Sequence, residues 1–271
     1  MSLDSVKAQL NYSHDIGRPI DYYFYEPDPG TQKDESGTDL QDVNIFDGWP
    51  EADNFNIDVQ GFEIRDLKSS FNQFEDDAAL KENFYATVIE FVKKHTGAKE
   101  VVVFDHTLRR RLASDLKAQT EVQRPAVLLV HSDYTEKSAR QRVRDIMGDR
   151  AEQLLSNRVA FYNVWKPLYE TVEELPLAMC DARTSTPEDM LLMNLKYRDR
   201  TGEIYVVRKG EDHRWYYFPR MPPDKALLLK TYDSEKDGRA RFTPHTAFED
   251  PNTPPNALKR QSIEIRTMAF F

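Results

Sequence analysis

Cysteine occurs once in 271 residues, at Cys180, which excludes an internal disulfide and a thiolate-rich metal cluster. No stretch approaches the roughly 18 consecutive apolar residues of a membrane span. The amino terminus, MSLDSVKAQLNY, lacks the basic region, apolar core and small-residue cleavage site of an export signal. These absences point to a cytoplasmic protein with no membrane partner. Basic side chains are also in deficit, 37 Lys and Arg against 46 Asp and Glu, for a formal net charge of -9. That is the wrong sign for a general nucleic-acid binder, so no nucleic-acid partner is expected.

Aromatic residues, in contrast, are plentiful: 15 Phe, 13 Tyr and 3 Trp, a load that a disordered chain does not carry. The length suits one large β domain, and no repeat or linker divides the chain, so residues 1–271 are expected to form a single domain. Residues 1–70 read as an irregular arm or lid. Between Glu26 and Asp58 there are ten acidic residues and one lysine, interrupted by PDPG and FDGWP. Residues 76–271 read as helices and a jelly-roll core. A helix is expected from Asp76 to His95, where Leu80, Phe84, Val88 and Phe91 recur at helical spacing and Gly97 follows. A second is expected from Glu136 to Leu155, with Val143, Met147, Ala151 and Leu155 on one stripe. Short segments rich in β-branched and aromatic residues then dominate: AVLLVHSD, RVAFYNVW, EIYVVR, WYYFP, KALLLKTYD, ARFTPHTAF and SIEIRTMAFF. Their spacing predicts a mainly β, antiparallel sandwich with flanking helices covering one sheet.

Within AVLLVHSDYT, His131 and Asp133 lie two residues apart, so a strand would point both to one face. RFTPHTAF offers His245 as a third ligand. Two imidazoles and a carboxylate on one face of an octahedron leave three positions open, the arrangement of non-haem ferrous oxygenases; the same three ligands also suit Zn²⁺. In KRQSIEIRTMAFF, Arg260 and Ser262 share a strand face and form a ready clamp for the distal carboxylate of 2-oxoglutarate. Arg266 has the same parity but lies about 20 Å further along a straight strand. The two arginines therefore compete for one cosubstrate, and the loser makes an internal or surface ion pair. Tyr134 and Tyr232 are candidate walls of a substrate pocket.

The motifs FDHTLRR, VHSDYT, NVWKPL, PLAMCD, KTYDS, TPHTAF and QSIEIR, in this order over residues 104–266, resemble a family of mostly fungal and bacterial secondary-metabolite hydroxylases and desaturases. That family is related to the cephamycin 7-hydroxylation protein and the gibberellin-desaturase-like oxygenases, and it includes endoperoxide- and aziridine-forming members. The resemblance covers about 60% of the chain by these motifs. It implies a double-stranded β-helix core of the jelly-roll, cupin-like kind, with Fe(II), 2-oxoglutarate and O2 as cofactor and cosubstrates. It also implies a biosynthetic oxidation that ends in hydroxylation, desaturation or oxidative cyclisation. Carried onto this sequence, it makes His131, Asp133 and His245 the metal ligands and places Asn163, Trp165 and Lys166 at the cosubstrate. Lysine stands here where the family more often has arginine, which trades a planar two-pronged contact for a point charge. The DHTLR element brings Arg109 toward the pocket as an anchor for a small-molecule substrate that bears a carboxylate or is an amino acid; the other anion such a buried cation could meet is a neighbouring acid, Asp105, Asp181 or Glu264. A homodimer is allowed. The other readings are a cupin-like metal-dependent hydrolase or isomerase, and a non-catalytic partner of a biosynthetic pathway.

Overall fold

The computed structural model describes residues 4–110 and 126–271. The chain opens with β1 (Ser5–Tyr12), β2 (Ile20–Tyr23), β3 (Asp39–Asp47) and β4 (Phe62–Asp66). Helices α1 (Asp77–Asn83) and α2 (Tyr85–Thr96) follow, then β5 (Glu100–Arg110) and β6 (His131–Ser132), α3 (Glu136–Met147), α4 (Ala151–Leu155) and β7 (Val159–Pro167). The remainder is strand: β8 (Leu177–Cys180), β9 (Met190–Lys196), β10 (Thr201–Val207), β11 (Trp215–Tyr217), β12 (Lys225–Asp233), β13 (His245–Ala247) and β14 (Gln261–Phe270).

Two sheets make a jelly roll, a nine-stranded one ordered β1-β3-β11-β8-β13-β6-β10-β9-β2 and a five-stranded one ordered β4-β12-β7-β14-β5. Period two assigns each side chain its layer. On β7 and β14, Tyr162, Val164, Ile263 and Ile265 face outward and pack on Leu80, Phe84, Val88 and Val92 of the first helical region. Their neighbours Phe161, Asn163, Trp165, Ser262, Glu264 and Met268 face the space between the sheets. Helices α3 and α4 bury Ala139, Val143, Ala151 and Leu155 against Val159, Phe161, Met268 and Phe270 at one end of that space.

The amino-terminal region departs from the irregular arm read in the sequence. Strands β1 and β3 pair along their whole length, from Ser5 opposite Phe46 to Tyr12 opposite Asp39, and β4 joins β12. Val6, Ala8, Leu10 and Tyr12 are buried and alternate with polar residues; burying that face outweighs the acidic surroundings. The polar stretch from Phe24 to Thr38 lacks strand and helix, as do the shorter links 13–19, 52–61 and 67–76. The run AVLLV before His131 is not a strand either. It makes single bonds across neighbouring elements, Val130 N–H donating to Asn11 O and Ala247 N–H to Val127 O.

Each predicted helix is broken once. Asp76 caps α1 by accepting from Ala79 N–H, but the helix is interrupted at Phe84, and α2 ends where Gly97 turns left-handed at φ 74°. The second is interrupted at Gly148, whose φ of 53° an L side chain rarely adopts; a 3-10 turn over Gly148–Arg150 leads into α4.

Gly61 has φ +85°, and a Cβ placed there would sit 2.1 Å from Thr243 Oγ1. Its carbonyl accepts from Thr243 Oγ1 and from Lys230 N–H. Gly97, with φ +74°, has open space around the same position. Gly97→Ala is therefore expected to cost about 1 kcal/mol, the left-handed penalty alone, and Gly61→Ala about 2–4 kcal/mol because overpacking adds to it. Urea midpoints at constant m measure both; equal losses would contradict the packing account.

Candidate metal centre

Strands β6 and β13 lie side by side with His131 directly opposite His245, and their imidazole centroids are 4.4 Å apart. Each ring is fixed the same way. His131 Nδ1 lies 2.7 Å from Leu129 O, and His245 Nδ1 lies 3.0 Å from Thr243 O, a carbonyl two residues back in both cases. A carbonyl only accepts, so each Nδ1 carries the proton and each Nε2 presents its lone pair. Asp133 faces both, with Oδ1 3.5 Å from His131 Nε2 and Oδ2 4.0 Å from His245 Nε2. All three side chains offer a ligand atom within 4.8 Å of the others, and among the described residues this is the one such group of three or more His, Cys, Asp or Glu.

The electrostatics suit a divalent cation. Burial pushes His245 down to about 4, reinforced by His131, so the ring is neutral at physiological pH. Burial opposes ionisation of Asp133, but the Arg266 charge favours the carboxylate, and the carboxyl is held well below its usual range. Two imidazoles, each tethered through the far nitrogen, and one ionised carboxylate match the donor set and outer hydrogen bonding of a metal centre.

A small recess opens beside the histidines, lined also by Arg109, Asn163, Trp165, Arg260 and Glu264. Arg260 is buried there, donating from Nε to Ser262 Oγ at 3.0 Å and from Nη1 to Leu175 O at 2.7 Å. Its guanidinium carbon lies 5.1 Å from the Trp165 ring centroid. It forms no ion pair with any described residue, and burial together with nearby Arg109 pulls it down to about 9. Trp165 Nε1 and Asn163 Oδ1 are likewise buried without a hydrogen-bond partner among the described residues. A cation, a free N–H donor and a free acceptor in one recess fit a ligand rich in oxygen.

Arg266 differs. It pairs with Glu264 at 3.1 Å and with Asp105 at 2.9 Å, and donates to Thr107 Oγ1; it is the internal ion pair of the two competing arginines. Arg109 pairs with the other oxygen of Glu264 at 3.1 Å. Glu264, one of the neighbouring acids that the sequence offered as a partner for a spare cation, lies between Ser262 and Arg266 on one strand face. Burial disfavours its charge, but Arg266 and Arg109 keep it ionised.

Three expected site residues lie elsewhere. Lys166 has the parity of Tyr162 and Val164, so it faces the helices; it donates to Pro167 O and sits 5.1 Å from the Phe74 ring. It does not reach the recess. Tyr134 and Tyr232 flank Phe161, with ring centroids at 4.8 and 5.7 Å. Both are core of the α3 cluster rather than walls of the recess, Tyr232 brought there by a β-bulge after Lys230. His106, from the same DHTLR element as Arg109, is a buried core histidine, its Nδ1 2.7 Å from Tyr85 OH.

A family profile described as an oxidoreductase/YMDC permease-like domain matches residues 10–270. Among the described residues no helix is long and apolar enough to cross a membrane. The chain is 30% identical over 256 residues to the Fe(II)/2-oxoglutarate-dependent dioxygenase nvfI of Aspergillus novofumigatus, spanning 92% of this chain and 90% of that one. It is also 30% identical over 285 residues to the hydroxylase/desaturase efuI of Hormonema carpetanum, spanning 94% and 95%. Among solved structures, an iron and alpha-ketoglutarate-dependent endoperoxidase, NvfI, matches with a TM-score of 0.90 at 28% identity, over 100% of this chain and 99% of its own.

The two arginines should separate in a stability measurement. Arg266→Ala takes one of two arginines from buried Glu264, which keeps Arg109 and Asn163, and is expected to cost about 1.5–3 kcal/mol, the worth of a hydrogen bond to a charged group. Arg260→Ala removes a cation that has no carboxylate partner among the described residues and is expected to cost about 1 kcal/mol or less. Denaturant unfolding of both decides; the reverse order would contradict the pairing.

Proposed function

Because the chain belongs to the family of Fe(II)- and 2-oxoglutarate-dependent dioxygenases, we propose that His131, Asp133 and His245 hold its ferrous ion and that Arg260 with Ser262 takes the distal carboxylate of 2-oxoglutarate. One observation carries the assignment: His131 and His245, which both face Asp133, line one recess with a buried guanidinium that has no carboxylate partner among the described residues.

The protein is an oxidoreductase that uses Fe(II), 2-oxoglutarate and O2 on a small-molecule substrate of secondary metabolism. The chemistry of its relatives favours this over a cupin-like hydrolase or isomerase and over a non-catalytic partner. When bound, ferrous iron supplies dioxygen activation coupled to decarboxylation of 2-oxoglutarate to succinate. The chain's own residues bind and orient. The carbonyls of Leu129 and Thr243 hold both imidazoles in the ligand tautomer, and Asp133 adds the negative charge that a divalent cation requires. Arg260 gives a two-pronged charged contact on the cosubstrate, steadied by Ser262, Leu175 O and the Trp165 ring. Val127, Leu177, Leu229 and Ala247 line the same recess with apolar surface and limit water around that contact, which strengthens it.

Arg109 was expected to anchor a carboxylate-bearing substrate or an amino acid, because a buried cation calls for an anion. Glu264 is that anion. An acidic substrate would have to compete with Glu264 for Arg109, whereas a neutral one leaves the pair intact. The charge argument for an anionic substrate therefore loses its force, and a neutral precursor is the reading that costs no ion pair.

His131→Ala and Asp133→Ala are expected to abolish 2-oxoglutarate turnover in chains that remain folded, read as succinate formed with iron supplied. Arg260→Ala should raise the KM for 2-oxoglutarate about 10- to 100-fold, corresponding to a charge-assisted contact of about 1.5–3 kcal/mol. A KM unchanged in Arg260→Ala, or turnover retained in His131→Ala, would contradict these roles.

A further inference from the structure

Asn163 stands at the centre of β7 on the face toward the recess, and its amide nitrogen reaches two carboxylates at once. It donates to Asp133 Oδ2 at 2.5 Å and to Glu264 Oε1 at 2.9 Å. The orientation of the amide is forced, because turning it over would set its oxygen against both carboxylates. Both N–H groups are thereby committed, while Oδ1 is buried and unpaired. Glu264 passes the connection on through Oε2 to Arg109 and through Oε1 to Arg266. A continuous polar track therefore runs from Asp133, across one side-chain amide, to the arginines beside Arg260.

We propose that Asn163 is a positioning residue that occupies Asp133 Oδ2, leaves Oδ1 as the oxygen free for the metal, and ties the carboxylate ligand to the Glu264–Arg109 pair. The consequence is geometric. A carboxylate with one oxygen held by an amide takes a single coordination position, which keeps the remaining positions available to cosubstrate and oxygen. Without the amide, Asp133 and Glu264 lose their common donor, and both oxygens of Asp133 are free to turn toward a cation. The inference rests on the metal assignment made above and adds the role of a residue that itself touches neither metal nor substrate.

The test uses the full-length protein stripped of metal and titrated with Co(II), wild type against Asn163→Leu, which keeps the branched shape and removes both donors. Asn163→Leu is expected to bind Co(II) 10- to 100-fold more weakly, as when an outer hydrogen bond to a ligand is lost, and to shift the visible Co(II) absorption. A folded variant with wild-type affinity and spectrum overturns the proposal. The infrared spectrum of Zn(II)-loaded wild type supplies a reading that needs no variant. A wide separation of the two carboxylate stretches perturbed by metal is the mark of one-oxygen coordination and is the expected result; a narrow separation, the mark of two-oxygen coordination, overturns the proposal whether or not the leucine variant folds. Wild type that takes up no Co(II), or takes it up equally well as His131→Ala, would overturn the metal assignment itself and the proposal with it.

Discussion

His131, His245, Glu264 and Arg260 are buried between two sheets, with Asp133 partly so, where an ionised group without a partner costs several kcal/mol. That cost sorts the charges into two sets. Glu264 is ringed by Arg109, Arg266 and Asn163, and Arg266 reaches on to Asp105; this set is satisfied within the chain. Arg260 and the Asp133 triad are not. One is a cation held by a hydroxyl, a carbonyl and an aromatic face, and the other is a carboxylate between two imidazoles. A divalent metal and a dicarboxylate bring the complementary charges, so the folded chain stores at one end of the recess what the cation needs and at the other what the cosubstrate needs.

The strands deliver these groups by alternation and by interruption of alternation. β6 contributes two residues and β13 three, just enough to set the histidines opposite each other and to let each ring bond back to a carbonyl outside the ladder. On the facing sheet, β14 pairs with β7 in unbroken register, Glu264 opposite Trp165 and Arg266 opposite Asn163, while the pairing of β14 with β5 slips at Arg266. Past that irregularity Asp105, Thr107 and Arg109 reach the residues of the site.

Period two explains both what sequence made legible and what it concealed. His131, Asp133 and His245 could be read because a two-residue spacing and a late histidine survive without knowledge of partners. Arg260 and Arg266 could not be separated, since the choice depends on which acids meet them, and Asp105 and Glu264 come from two strands. Lys166 was misplaced because a motif was carried over whole, although its own parity with Tyr162 and Val164 pointed to the other layer. The bulge after Lys230 that moves Tyr232 has no signature in KALLLKTYD. The arm over residues 1–70 was misread because the pattern of Val6, Ala8, Leu10 and Tyr12 is short, and its partner β3 lies beyond an acidic stretch that dominates the composition.

The most direct test is a crystal structure grown without oxygen with Mn(II), as a stand-in for ferrous iron, and 2-oxoglutarate. An anomalous peak bonded to His131 Nε2, Asp133 Oδ1 and His245 Nε2, with the distal carboxylate of 2-oxoglutarate on the Arg260 guanidinium and Ser262 Oγ, is the predicted result. A metal bound away from those three atoms, or a distal carboxylate resting on Arg266 or Lys166 while Arg260 keeps only Ser262 and Leu175 O, would contradict the account.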